Sequence, residues 1–262
     1  MSNKKLKDPI GERMKNNYEN IFRSFLPKRM PYIIRIDGKA FHSYTRSFDK
    51  PWDIDIKNGL AFVSEKLCKN IMGAKLAYCQ SDEISILITD YDRLTSEAWF
   101  NKNIQKICSV SSSMATAYFN SYIQGLDKYP SSKIALFDAR CFVLPKEDVC
   151  NYFIWRQKDA IRNSINSLGQ KHFSHKELQN KSTEQVKKLL AEKEIIWDDC
   201  LNWQKNGWCV IAESDGIKQD NNIPEFSKNR SYIEKYVFID EMKENRESIL
   251  EKIIGGLEDD KK

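Results

Sequence analysis

The stretch PYIIRIDGKAFH, residues 31–42, decides the fold together with YCQSDEISILI, residues 78–88. The first stretch is a short β-branched run that stops at Asp37, and the second carries Asp82 and Glu83 between two apolar runs. Runs of this length and composition predict strands of one buried sheet. The three carboxylates then stand at a strand end and at a hairpin turn, where they can converge on one edge of that sheet.

Apolar residues between the two stretches recur at helical spacing, so the predicted order of elements is strand, helix, hairpin. The predicted elements are a strand at 31–36, a helix from Asp53 to Met72, a strand from Lys75 to Cys79, a turn at Gln80-Ser81, a strand at 84–88, a helix from about Ser96 to Gln124, a strand from Ile134 to Leu144, a helix from Pro145 to about Leu168, a polar helix from Thr183 to Lys193, and short strands at Cys209 to Ala212 and Tyr236 to Ile239. An amphipathic N-terminal helix with Met14, Tyr18, Ile21, Phe22 and Phe25 on one face is expected to pack on the fold.

This order predicts an α+β fold: a polymerase-palm (ferredoxin-like) antiparallel sheet covered by helices, with a smaller helical and β C-terminal part. We expect residues 1–140 to form the palm-like catalytic domain and residues 141–262 a separate C-terminal region. Carboxylates in this arrangement are suited to Mg²⁺, which binds through one or two carboxylates plus substrate phosphates. Each acidic segment alone is also typical of solvated turns.

Composition and charge agree with a globular enzyme that handles phosphates. The chain has 262 residues, 41% hydrophobic and 30% charged, with no apolar run of about 18 residues and no signal-peptide core, so no membrane span is expected. Seven cysteines without a C-x-x-C pair are typical of a reducing compartment, and we expect a cytoplasmic protein. Residues 1–140 contain 22 basic and 15 acidic side chains, against 20 and 22 in residues 141–262. The positive excess suits phosphate ligands, although a solvated basic surface would have the same composition.

Five segments together resemble the histidine-tRNA guanylyltransferase family. They are RIDGKAFHSYT at 35–45, SFDKPWD at 47–53, QSDEIS at 80–85, FDARCFVLP at 137–145 and WRQKDAIRNSIN at 155–166. The similarity runs from Gly11 to about Cys209. It implies a palm fold, two Mg²⁺ ions, and ATP or GTP and other nucleoside triphosphates as substrates. It also implies tRNA as the RNA partner, with residues 141–262 as the tRNA-associated region, and a homotetramer.

The resemblance also implies roles for individual residues. Metal ligands would be Asp37, Asp82 and the Gly38 carbonyl, with Glu83 as a third catalytic carboxylate that supports the pair. Nucleotide contacts would come from the backbone of residues 37–42 and from three residues outside it. The full set is Asp37, Gly38, Lys39, Ala40, Phe41, His42, Lys50, Ser81 and Asp82. RNA contacts would come from Arg156, Arg162 and Asn163.

One departure from the family pattern bears on substrate choice. Enzymes that add a single G to histidine tRNA carry HINN where this chain has Ile161, Arg162, Asn163 and Ser164. The chain is therefore similar to the guanylyltransferase-like branch, which uses a template to repair 5′-truncated tRNA. Single G addition, a palm-type nucleotidyl cyclase and a catalytically silent RNA-binding protein stay open as alternatives.

Overall fold

The computed structural model describes residues 9–126 and 133–239, which build a six-stranded antiparallel sheet with helices on both faces. The strands are β1 Tyr32–Gly38, β2 Ala74–Gln80, β3 Glu83–Ile88, β4 Phe137–Val143, β5 Trp208–Glu213 and β6 Gly216–Asp220. The α-helices are α1 Pro9–Met14, α2 Phe41–Tyr44, α3 Ile54–Asn70, α4 Ile104–Gln124, α5 Lys146–His172, α6 His175–Leu178, α7 Thr183–Ala191, α8 Asn202–Asn206 and α9 Ser231–Glu234. Single turns of π or 3-10 helix lie at Lys15–Glu19, Asn20–Phe22, Thr45–Ser47, Trp99–Lys102 and Trp197–Asp199.

Alternation along the central strands gives the sheet two buried faces. Its strand order is β4-β1-β3-β2-β5-β6, and each neighbouring pair is antiparallel. Ile34 and Ile36 of β1 pack with side chains of α3 and α4, whereas Ile33 packs with Val149 and Phe153 of α5. Because successive side chains of a strand point to opposite faces, one strand contributes to both cores. The predicted α+β palm fold is confirmed.

Helix α3 begins where the sequence predicts it. The Asp53 carboxylate accepts hydrogen bonds from the backbone amides of Asp55 and Ile56, at 2.8 and 3.2 Å, which caps the first turn. Its other oxygen accepts the Asp49 amide at 3.0 Å, so the same side chain also fixes the loop before the helix. The predicted helices at 145–168 and 183–193 are likewise confirmed as α5 and α7.

One predicted helix boundary and one predicted strand are wrong. The long helix starts at Ile104 rather than Ser96, because Asn103 caps it and a 3-10 turn precedes it. The strand predicted at Tyr236 to Ile239 is instead a turn in which the amides of residues 236–238 donate back to carbonyls of α9. The last strand of the sheet is β6, whose GIKQD sequence has no apolar alternation to mark it.

The N-terminal segment does not pack on the fold as the sequence predicts. Helical turns do follow one another from Pro9 to Phe22. Their apolar side chains remain 44 to 72% exposed at Met14, Tyr18, Ile21, Phe22 and Phe25. An apolar face of this kind is left without a cover within the described residues.

The sheet is shared by the two parts of the chain. Residue 140 lies inside β4, and β5 and β6 extend the sheet beyond β2. The division at residue 140 therefore cuts through the sheet, and it stays a prediction about function. Within residues 9–126 and 133–239, no helix is both long and apolar enough to cross a membrane.

Candidate active site

Asp37 stands at the end of β1 between two other acidic side chains. In the register of the sheet it is paired with Glu83 of β3 and with Asp138 of β4. Directly paired residues of antiparallel strands place their side chains on the same face. Arg35 and Arg140 are paired across β1 and β4 two residues further from the strand ends, which makes them the next pair on the same face. Asp37 therefore has an acidic neighbour on each adjacent strand, and the two arginines form the next pair along the same face of the sheet.

Asp82 reaches the same edge from the β2–β3 turn. Ser81 in that turn has a left-handed backbone, with φ of 49°. A Cβ on Gly38 would lie 3.0 Å from the Asp82 Oδ2 atom and 2.4 Å from the Phe41 ring. The end of β1 and the hairpin turn therefore approach so closely that only glycine fits at position 38 without a shift.

Burial and mutual repulsion perturb both aspartates. Desolvation, followed by the charge of Asp37, raises the pKa of Asp82 to about 6. Desolvation also raises the pKa of Asp37, with the charges of Glu83 and Asp138 acting in the same direction and Arg35 acting against them. A cation placed between close carboxylates would favour the ionised form of both.

A cavity of about 510 Å³ opens beside Asp82 at this edge. A volume of this size lies in the range of small-molecule and cofactor sites. Five of the predicted site residues line it together with one predicted RNA contact: Phe41, His42, Lys50, Ser81, Asp82 and Asn163. Asp37 and Glu83 are not among the residues that line it.

The predicted nucleotide-binding backbone is only partly available. The Lys39 amide donates to the Leu136 carbonyl at 2.8 Å, so it is already engaged. Ala40 takes a left-handed backbone, with φ of 50°, and opens the single turn of α2. Lys39 and Ala40 line a separate, shallow cleft of about 460 Å³ rather than the cavity beside Asp82. The amides from Ala40 to His42 have no backbone acceptor in the described part of the chain.

Lys50 carries positive charge at the mouth of the cavity. Its exposed ammonium group donates to the Thr45 hydroxyl at 3.1 Å. Within residues 9–126 and 133–239 no carboxylate forms an ion pair with it. Its charge is therefore available to an anionic ligand.

Glu83 is held by α5 instead of facing the cavity. Arg156 Nε and Nη2 donate to its two carboxylate oxygens at 2.8 and 2.6 Å, and both side chains are buried. Ser85 also donates to Glu83, at 3.1 Å. Arg156 contacts Asp159 at 3.1 Å as well. This bidentate pair anchors the acidic turn to α5, and the buried Arg156 is not placed to contact RNA.

The other two predicted RNA contacts, Arg162 and Asn163, lie on α5 between one and two turns after Arg156. Both donate to the carboxylate of Asp159, Asn163 at 3.4 Å. The Arg162 side chain is 63% exposed. Of the three predicted RNA contacts, these two therefore face solvent or the cavity.

Sequence reasoning missed the inner wall of the cavity. Lys57, Gln80 and Trp208 line it and are all buried. The Lys57 ammonium lies 5.7 Å from the Trp208 ring centroid. Gln80 and Trp208 sit at the ends of adjacent strands, so their neighbourhood follows from the pairing of β2 with β5. That pairing has no local signal in the sequence.

The fold and the site are those of a nucleotidyltransferase of the palm type. Residues 11–145 match the model of the family described as Thg1, tRNAHis guanylyltransferase. A bacterial tRNA(HIS) guanylyltransferase (Thg1)-like protein in complex with ATP is 50% identical, with a TM-score of 0.84 over 88% of this chain and 100% of that one. The GTP complex of such a protein has 46% identity and a TM-score of 0.75 over 87% and 99%. The chain therefore belongs to the tRNAHis guanylyltransferase family.

Curated relatives agree at lower identity. The tRNA(His) guanylyltransferase of Debaryomyces hansenii is 26% identical over 220 residues, which are 76% of this chain and 79% of that protein. An uncharacterised mimivirus protein, R259, is 28% identical over 239 residues, or 82% and 80% of the two chains.

Proposed function

We propose that this chain adds nucleotides to the 5′ end of tRNA in the 3′-to-5′ direction, with the opposite strand as template, and so repairs truncated tRNA. The observation that carries the proposal is the placement of Lys50, Ser81 and Asp82 around one cavity at the edge where Asp37 ends β1. The bacterial relatives solved with ATP and with GTP support a nucleotide as the occupant of such a site.

The proposed chemistry has three displacements at phosphorus. A 5′-phosphate oxygen of the RNA attacks the α-phosphorus of ATP or GTP, pyrophosphate leaves, and a 5′-5′ linkage forms. The 3′-hydroxyl of an incoming nucleotide then attacks the RNA phosphate, loses its proton and displaces AMP or GMP. Water finally removes pyrophosphate from the added nucleotide and leaves a 5′-monophosphate.

Two Mg²⁺ ions would be held at the acidic edge. Asp37, Asp82 and the Gly38 carbonyl offer the hard oxygen ligands that magnesium takes. Desolvation, and after it repulsion between acidic side chains, raises the pKa values of both aspartates, and a divalent cation would offset that repulsion. When bound, magnesium neutralises phosphate charge and stabilises the attacking and leaving oxygens.

The chain's own groups would bind and orient the triphosphate. The amides of Phe41 and His42 and the hydroxyl of Ser81 can donate to phosphate oxygens, and Lys50 supplies a point charge at the cavity mouth. Glu83 contributes indirectly, because its pairing with Arg156 fixes the turn that presents Asp82.

Templated repair, rather than recognition of histidine tRNA, is favoured by the surroundings of the HINN positions. The Ser164 hydroxyl accepts the indole N–H of Trp197 at 3.0 Å and donates to the Ile161 carbonyl at 2.9 Å. Ile161 packs against a small apolar cluster beneath α5. Neither side chain offers a free polar group for a base edge. We propose Arg162 and Asn163 as the RNA contacts of this segment. The homotetramer and the cytoplasmic location stay predictions.

The test is extension of a labelled 5′-truncated tRNA in the presence of Mg²⁺ and nucleotides. We expect Asp37→Ala and Asp82→Ala to abolish both activation and addition while leaving tRNA binding nearly intact, because the metals act on the transition state. Asp215→Ala, in the exposed β5–β6 turn, is the matched control and should remain active. More than a few per cent of activity in either mutant would contradict the assignment, and conversion of nucleotide without lengthening of RNA would indicate a cyclase.

A further inference from the structure

Helix α5 exposes one aromatic and two basic side chains along a single stripe. Trp155 is 54% exposed, and all of the other five tryptophans, which the structure also describes, are buried or half-buried. Lys158 and Arg162 are exposed as well. Spacings of three and seven residues place them on the same side of a helix. The three side chains therefore form one surface, which we call the α5 stripe.

The Trp155 ring is held in place from behind. The guanidinium carbon of Arg156 lies over it, 4.6 Å from the ring centroid. Tyr152 contacts it edge-on with centroids 5.9 Å apart. Arg156 is in turn fixed by its bidentate pair with Glu83, the neighbour of Asp82. The orientation of the exposed ring is thus set relative to the catalytic edge.

The charges around the ring favour an anionic partner. Asp159, on the same turn of the helix, already accepts hydrogen bonds from Arg156 and Arg162. Lys158 has no ion-pair partner within the described residues. A fixed aromatic ring beside lysine and arginine is the combination by which proteins bind unpaired nucleotides, with bases stacked on the ring and phosphates on the cations. A flat aromatic ring also stacks on any base, as a templated reaction requires.

We propose that Trp155 is an RNA-positioning residue on which the base at the 5′ end of the RNA stacks, while Lys158 and Arg162 contact the adjacent phosphates. This inference rests on the proposed function, because it takes RNA as the substrate. It adds to that function a platform for the 5′-terminal base at a fixed position relative to the acidic edge.

The test is equilibrium binding of a 5′-truncated tRNA without nucleotides, which requires no chemistry. Since stacking on one aromatic side chain contributes a factor of about ten or more, Trp155→Ala should weaken binding by at least roughly tenfold. Trp155→Phe keeps a stacking ring and should bind within about twofold of the unaltered protein, while losing the fluorescence quenching that RNA causes. Phe238→Ala removes another aromatic ring, 51% exposed and outside α5, and should leave binding unchanged.

A second RNA identifies what the ring contacts. With an abasic nucleotide at the 5′ end, the unaltered protein and Trp155→Ala should bind equally. Equal affinities of the two proteins for the intact RNA would overturn the inference, as would a loss of binding that follows a change in oligomeric mass, since Trp155 would then lie between subunits. Failure of the unaltered protein to bind or extend tRNA would instead contradict the proposed function.

Discussion

At the scale of single residues, ionising the acidic edge costs free energy when no cation is bound. Asp82 is half-buried close to Asp37, and desolvation followed by the charge of Asp37 raises its pKa to about 6. In the absence of divalent cations, we expect Asp82→Asn to raise the free energy of unfolding at pH 7 by about 1–2 kcal/mol, since it removes a desolvated charge. Urea unfolding in EDTA measures this, with Asp215→Asn in the exposed β5–β6 turn as the control. A destabilised Asp82→Asn protein would contradict the electrostatic account.

Lys50 gives a second prediction at this scale. Because its charge lies at the cavity mouth, Lys50→Ala should raise the KM for ATP or GTP more than it weakens tRNA binding. The comparison requires initial rates at varied nucleotide and a separate tRNA binding curve. Weaker tRNA binding with an unchanged nucleotide KM would assign Lys50 to the RNA surface.

At the scale of elements, a buried ion pair joins β3 to α5. Removing one partner leaves the other charged and unpaired, so Glu83→Gln or Arg156→Met alone should cost about 3–5 kcal/mol of unfolding free energy. The double mutant should be less destabilised than the sum of the two, and a double-mutant cycle by urea unfolding measures the coupling. The exposed pair of Arg140 with Asp138 is the control, for which about 0–1 kcal/mol is expected. Additive single effects at Glu83 and Arg156 would show that the two side chains are not coupled.

Elements with strong periodicity could be predicted from the sequence, and those without it could not. β1, α3, the β2–β3 hairpin and α5 carry regular apolar patterns, and all are found near their predicted positions. β6 is a polar edge strand, so its position depends on pairing with β5. The amphipathic pattern before Pro27 did predict helical turns, but amphipathicity alone does not say what covers the apolar face.

In the candidate site, too, local features could be predicted from the sequence and long-range contacts could not. Asp37 and Asp82 could be placed on one edge because a strand end and a hairpin turn are local features. The pairing of Glu83 with Arg156 joins residues 73 apart in sequence, and only packing of α5 on the sheet creates it. The family motif alone assigned Arg156 to RNA, whereas its buried contacts assign it to support of the acidic turn.

At the scale of the whole molecule, the exposed N-terminal face bears on assembly. Isolated apolar side chains on a surface are ordinary, but a contiguous set is typical of an interface. If this face joins subunits of the predicted homotetramer, replacing Ile21 and Phe22 by aspartate should lower the mass measured by light scattering, with Leu94→Asp, equally exposed, as the control. An unchanged mass would place the contacts between subunits elsewhere.

The central claim is that the templating base, rather than the identity of the tRNA, decides what is added. The direct measurement supplies all four nucleotides to truncated non-histidine tRNAs that differ in the base opposite the missing position, and to full-length histidine tRNA. We expect each truncated tRNA to receive the complementary nucleotide at comparable rates, with weak G addition to full-length histidine tRNA, because Ile161 and Ser164 offer no free polar group for its recognition. Preferential G addition to histidine tRNA, insensitive to the templating base, would contradict the account.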